Sequence, residues 1–363
     1  MKPRSFPFTC GGSTSLGSEG LLAYFLAAIA RGSLCVGCLV FLCMARLQAA
    51  TVSAWTTGEV RTFWGACDAS AVVSLGGDRI AVADDEDSIL RIYALDSPGQ
   101  PVAQLDLSRF LGLRKGRGET DIEASTRVGE TTYWITSHGR NSSAKFQQQR
   151  HRFFATQDEG VLSGTGVRLK PVGVPYVHLA RDLAAHSKLA PFHLGAASKK
   201  APKAQGGFNL EGLVATESGS LLLGFRNPIP ESRALVVPLL NPESVIRGTA
   251  PRFGDPILLD LGGLGIRGMT RWGSRYLILA GPSQGDRETR LYEWTGGVEP
   301  PVWRREVSFK GLNPEGMTWV PGGSRSRLLV LSDDGTRLCD GVECKRLKDP
   351  LRKRFRAVVL TPP

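Results

Sequence analysis

Five segments of this chain repeat one short pattern, and the pattern constrains the fold more than any other feature. Cys67-Asp68-Ala69-Ser70, Asp121-Ile122-Glu123-Ala124, Asn209-Leu210-Glu211-Gly212, Gly265-Ile266-Arg267-Gly268 and Asn313-Pro314-Glu315-Gly316 each open an apolar run. Each run ends in a polar turn: Ala83-Asp84-Asp85, Ser137-His138-Gly139, Phe225-Arg226-Asn227, Gly281-Pro282-Ser283 and Ser332-Asp333-Asp334. Self-similarity at about fifty residues, built from short strands, is the signature of a β-propeller. Equivalent residues of every repeat then meet at one axis.

Short apolar or alternating runs bounded by Gly, Pro, Asn and Asp supply four strands in each of the first four repeats. The fifth repeat offers Met317–Val320, Leu328–Leu331 and Phe355–Leu360, one strand too few. Thr51 to Arg61 is a spare strand at the other end of the propeller segment. Pairing the two chain ends in one blade would close the ring and remove its exposed edges. The expectation is an all-β, five-bladed propeller over residues 51–363, with six blades as the alternative. Residues 175–207 read as an insertion within it, with a helix over Val177 to Leu189 and a loop carrying Lys199, Lys200 and Lys203. Such insertions form lids or partner surfaces.

Residues 1–50 read as an export signal. Leu21–Ala30 and Ser33–Met44 are apolar, Arg31 separates them, and Ala49 or Ala50 offers a cleavage position. Each apolar piece is too short to span a membrane comfortably, so a cleaved signal is favoured over an anchor. The mature chain is expected to be periplasmic or extracellular and monomeric, with no transmembrane span. Whether it is lipid-anchored stays open.

The net charge is +11, of which the first fifty residues hold +3. Much of the rest lies in one run: Lys345, Arg346, Lys348, Arg352, Lys353, Arg354 and Arg356. No aromatic-interleaved groove or nucleic-acid motif accompanies it, so it reads as a solvated loop leading into a strand, and no nucleic-acid partner is expected. Cys339 and Cys344 flank a hairpin turn and could pair in an oxidising compartment, leaving Cys67 as a buried free thiol.

The chemistry concentrates in the repeated motif. Glu123, Glu211 and Glu315 hold one place in three repeats, and Ser70 and Arg267 hold it in the other two. Asp68, Asp121, Asn209 and Asn313 stand two residues earlier, on the same strand face. Carboxylate and amide oxygens are the hard-ligand set of Ca²⁺ or Mg²⁺. Glu123, Glu211, Glu315, Asn209, Asn313 and Asp121 are therefore the candidate metal ligands. Arg226 and Arg267 suit a phosphate or carboxylate group, with Asn227 beside them. His138 is the candidate general base, which with Arg226 and Arg267 completes the catalytic set. The structural reading of the same residues is that the glutamates hold the ring shut, that Arg267 neutralises them, and that Asp84–Asp87 and Asp333–Asp334 are ordinary turns. No phosphate loop or His-Glu-x-x-His occurs after residue 50, and Gly206-Gly207 and Gly262-Gly263 read as loop glycines, so no nucleotide cofactor is expected.

From Cys67 to about Asp334 the chain resembles a bacterial family known as domain of unknown function 3616. The likeness is carried by Cys67-Asp68-Ala69-Ser70, Val82–Asp87, Trp134–Asn141, Asn209–Gly212, Gly224–Pro228, Arg252–Pro256 and Leu312–Gly316. The family implies no established activity. The Asn-x-Glu-Gly motifs look similar, more loosely, to those of secreted propeller hydrolases such as esterase-like phytases. The expected function is a divalent-metal-dependent hydrolase of a small anionic phosphoester or lactone at the central channel. The alternative is a non-catalytic propeller that presents the insertion and channel mouth to a protein or glycan.

Overall fold

The structure is a computed structural model that describes residues 54–113, 119–161, 167–285, 288–322 and 325–363. The segment read as an export signal lies outside the described residues. Five four-stranded antiparallel sheets form a ring, and the protein is a five-bladed β-propeller. From the axis outward, blade 1 is Ala69–Gly76, Arg79–Asp84, Ile89–Ala94 and Ala103–Asp106. Blade 2 is Ile122–Val128, Thr131–Thr136, Phe153–Val161 and Val167–Tyr176. Blade 3 is Asn209–Ala215, Leu221–Asn227, Ala234–Leu239 and Ile257–Leu259. Blade 4 is Gly265–Trp272, Arg275–Gly281, Arg290–Trp294 and Val302–Trp303, its last strand much shorter than the sequence pattern over Trp303–Phe309.

Blade 5 is assembled from both ends of the propeller: Pro314–Val320, Arg327–Ser332, Arg354–Thr361 and, outermost, Thr56–Trp64. The strand from the start pairs antiparallel with the strand from the end, from Thr56 opposite Thr361 to Trp64 opposite Arg354. Phe63 then stacks on Phe355 and meets Tyr93 of blade 1 edge-on, each at 5.3 Å between ring centroids. Such offset aromatic pairs add to the burial energy.

Each seam between blades is filled by its own apolar cluster. Val82 and Tyr93 meet Leu329 and Phe355 between blades 1 and 5. Ala83 and Leu90 meet Trp134 and Phe154 between blades 1 and 2. Val236 meets Ile278 between blades 3 and 4, and Leu277 meets Val330 between blades 4 and 5. The seam between blades 2 and 3 also takes in the insertion, through Leu179, Leu183, Leu189 and Leu194. The insertion helix is shorter than the sequence pattern. It runs over Leu179–Ala185, and the extended backbone of His186 (φ −75°, ψ 125°) hands over to a 3₁₀ turn.

The cysteine expectation is corrected. Cys67 and Cys344 form the disulfide, with Cα atoms 5.8 Å apart, and Cys339 is the buried free thiol. The hairpin between Cys339 and Cys344 exists, but ring closure sets Cys67 beside the far end of the chain. Asp68 bridges Asp333, and the Asp334 amide donates to the Cys67 carbonyl. The basic run behaves as a surface segment. Arg346, Arg352 and Arg356 pair with Glu343, Asp340 and Asp334. Among the described residues no helix is long and apolar enough to cross a membrane.

Candidate functional site at the channel mouth

All five innermost strands share one irregularity. The register of pairing slips at Ser70, Glu123, Glu211 and Arg267, and between Pro314 and Met317, which brackets Glu315. A bulge inserts one residue against the partner strand and re-aims its side chain. Here the bulged position is the variable member of the repeated motif in every blade. A small residue, Ala71, Ala124, Gly212, Gly268 or Gly316, follows it. A Cβ on Gly268 would stand 2.3 Å from the Glu315 carbonyl oxygen, and one on Gly316 would stand 2.7 Å from that of Ser70. The glycine therefore lets the next blade approach, and the bulge turns the preceding side chain toward the axis.

Glu123, Glu211, Arg267 and Glu315 open into a cavity of about 580 Å³ at the end where the inner strands begin, whereas Ser70 is enclosed and its hydroxyl donates to the Ile122 carbonyl. Asp121, Glu123, Asn209, Glu211, Arg226, Arg267, Asn313 and Glu315 all line it. The sequence therefore identified residues from four blades that share one space. The cavity also takes in Asp85, Arg150, Asp333 and Lys345, and the insertion contributes Ala201, Pro202 and Lys203 as one wall.

The charges are arranged unevenly. On the side of blades 3, 4 and 5, each buried carboxylate has a guanidinium. Glu211 Oε1 accepts from Arg226 Nη1 at 2.6 Å and from Asn209 Nδ2 at 2.7 Å. Arg267, which is 6% exposed, pairs with Glu315 through Nη2 and lies 3.7 Å by Nε from Glu211 Oε2. This matches the neutralising role weighed for Arg267. On the side of blades 1 and 2, Asp121 pairs with Arg150 at 2.9 Å. Glu123 is buried with no hydrogen-bond partner among the described residues, and burial, then Glu211 and Asp121, hold it well above the usual carboxylate range. Asp85 is raised in the same way by burial, then by Asp84, Glu123, Asp121 and Asp68. Burial and the facing Asp333 push Asp68 up to about 8. Nearby like charges and desolvation both disfavour a carboxylate anion.

Two predicted site residues stand apart. His138, 1% exposed, places Nδ1 2.8 Å from the Thr136 carbonyl and packs edge-on against His151, away from the cavity lining. Burial and His151 push it down to about 3, so it stays neutral at pH 7. Asn227 donates Nδ2 to the Pro202 and Ala204 carbonyls at 2.8 and 2.6 Å. Its amide holds the insertion against blade 3 and is not directed to a ligand. Arg150 carried no sequence signal because it lies on the 3₁₀ turn Gln148–Arg150, between the second and third strands of blade 2 and away from the repeated motif. Asp85 did carry one, but the Asp-rich stretch containing it read as a turn. Its neighbour Asp87 is indeed held by Arg91.

Residues 176–335 match the model of a family described as "Protein of unknown function (DUF3616)". The matched stretch spans the insertion, blades 3 and 4 and the first half of blade 5. No curated protein matches. Among solved structures, Myxococcus xanthus glutaminyl cyclase is 13% identical at a TM-score of 0.42, covering 85% of this chain and 96% of its own. A putative oxidoreductase (glucose dehydrogenase) of Thermus thermophilus is 15% identical at 0.43, covering 84% and 100%. The PQQ-bound aldose sugar dehydrogenase of Streptomyces coelicolor is 12% identical at 0.41, covering 85% and 98%. Identities and scores this low transfer no activity to this chain.

Proposed function

We propose that this protein is an exported hydrolase of a small anionic ester, acting in the channel-mouth cavity with a divalent cation. One observation carries the reading: the cavity has a guanidinium side and a carboxylate side within a single small space. Arg226 and Arg267 would hold the anionic group of the substrate, since a guanidinium fork matches carboxylate or phosphate oxygens. Their partners Glu211 and Glu315 would then serve to position them, rather than to bind metal as the sequence pattern alone implied. The cation would lie on the side of blades 1 and 2, where carboxylates without counter-ions gather. When bound, it would polarise the ester oxygen.

Glu123 would exchange the proton. Burial, then Glu211 and Asp121, hold it well above the usual carboxylate range, which favours the protonated form that can give a proton to the leaving oxygen. The water oxygen bonds to the acyl or phosphoryl centre and the bond to the leaving oxygen breaks. One proton passes from Glu123 to that oxygen, and the attacking water returns one to the carboxylate. Export is supported by the Cys67–Cys344 disulfide, which suits an oxidising compartment. A monomer is proposed with it.

The test is turnover of a panel of small phosphoesters and lactones by the purified protein. At least one ester should be hydrolysed, and Glu123→Gln should lower kcat by roughly 100-fold or more with an unchanged melting temperature. Absence of turnover across the panel, or wild-type kcat in the variant, would refute the reading.

A further inference from the structure

The acidic groups at the rim divide into two kinds. Asp87 and Asp334 are engaged by guanidinium groups. Asp87 pairs with Arg91, and Asp334 accepts two hydrogen bonds from Arg356 at 2.7 Å each. Asp68, Asp84 and Asp85 form no ion pair within 4 Å among the described residues, although one oxygen of each lies within 4.8 Å of the others. Asp84 is fixed by backbone amides. Its Oδ2 accepts from Cys67 at 2.9 Å and Asp68 at 3.2 Å, and its Oδ1 accepts from Glu86 at 3.0 Å. Asp85 is fixed by its own backbone, its amide donating to the Asp68 carbonyl and its carbonyl accepting from the Asp121 amide.

A second observation is independent of this clustering. Asp68 is only 5% exposed, and its Oδ2 is buried with no hydrogen-bond partner. Asp85 Oδ1 is buried and unpartnered in the same way. A buried carboxylate oxygen without a donor is costly, and the cost is relieved only by a proton, a donor or a cation.

We propose that Asp68, Asp84 and Asp85 bind one calcium-class divalent cation at the seam of blades 1 and 5, open to the central cavity through Asp85. The donors are all oxygens, which selects a hard cation. Calcium contacts oxygen at about 2.3–2.6 Å, so ligand oxygens of one ion lie within about 5 Å of one another, as the three here do. Water from the cavity completes the shell. The Cys67–Cys344 bond anchors the residue before Asp68, and the Asp68–Asp333 bridge anchors Asp68 itself. A cation there draws blade 1 to the loop of blade 5 in the same place as the disulfide. The inference deepens the hydrolase reading by naming the ligands of its cation, and it stands on different residues from those that contact the ester.

The experiment is equilibrium dialysis of the purified full chain against Ca²⁺, with melting curves in chelator and in Ca²⁺, for the wild type, Asp68→Asn, Asp85→Asn and Glu123→Gln. The wild type should bind one Ca²⁺ and melt higher with it, since a ligand of the folded state raises its stability. Asp68→Asn and Asp85→Asn should each weaken binding at least ten-fold, while Glu123→Gln binds as the wild type does. Asp85 is at the cavity surface, so its variant tests the site even if Asp68→Asn fails to fold. No Ca²⁺ on the wild type, wild-type affinity in Asp85→Asn, or loss of binding in Glu123→Gln would overturn the site. Ester turnover measured on the same samples separates the two ideas. Binding without turnover refutes the hydrolase alone, and turnover without binding at these aspartates refutes this site alone.

Discussion

At the scale of single residues, burial decides which ionisable groups are chemically available. His138 looked like a base because it follows a strand end in the motif register. Its imidazole is enclosed against His151, Thr136 and Arg152, and the environment keeps it neutral. This has a consequence for stability. The unfolded imidazole gains its proton as pH falls below about 6.5, whereas the folded one does so only near 3. The unfolded state therefore binds more protons between these values, and stability, complete above about 6.5, is lost as pH falls toward 3. At about 1.4 kcal/mol per pH unit, the loss from this residue is about 2 kcal/mol at pH 5. Chemical denaturation of the wild type and His138→Gln at pH 7 and pH 5 should show the wild type losing about 2 kcal/mol more than the variant. Parallel losses would mean that His138 titrates normally in the folded protein.

At the scale of elements, the inner strand is the working unit. Its first residues combine a bulge, an axial side chain and a small residue at the seam. Gly316→Val would drive a side chain into the Ser70 carbonyl and Ala71. Overpacking of this kind costs roughly 1–3 kcal/mol. Thermal denaturation should show Gly316→Val melting clearly lower, while Gly99→Ala, with its nearest neighbour 3.9 Å away, stays close to the wild type. Equal melting temperatures would remove the seam explanation for the motif glycine. The sequence made the strands legible because apolar runs and turn residues alternate strongly. The five-fold motif also placed Glu123, Glu211, Arg267 and Glu315 around one axis correctly. What it could not convey was which of these side chains pair. Glu211 takes Arg226 of its own blade, Arg267 of blade 4 reaches Glu315 of blade 5, and Arg150 reaches Asp121 from between the second and third strands of blade 2. The helix over Val177 to Leu189 failed because the extended backbone at His186 interrupts an otherwise helical composition.

At the scale of the whole molecule, closure is the central event. The first and last strands share blade 5, and Cys67 and Cys344, 277 residues apart, are bonded across the adjoining seam. A crosslink over so long a loop constrains the unfolded chain strongly, with typical native disulfides contributing roughly 2–5 kcal/mol. Closure also explains why the cysteine pairing was misread: the local hairpin suggested neighbours in sequence, whereas the ring supplies neighbours in space. It creates the seam where Asp68 meets Asp84, Asp85 and the blade 5 loop, and it turns five separated motifs into one mouth. The measurement that tests this account most directly is a crystal structure of the protein soaked with Ca²⁺ and inorganic phosphate. The account predicts a cation among Asp68, Asp84 and Asp85 and phosphate against Arg226 and Arg267, within the same cavity. Phosphate elsewhere on the ring, or no cation at those three aspartates at saturating Ca²⁺, would contradict it.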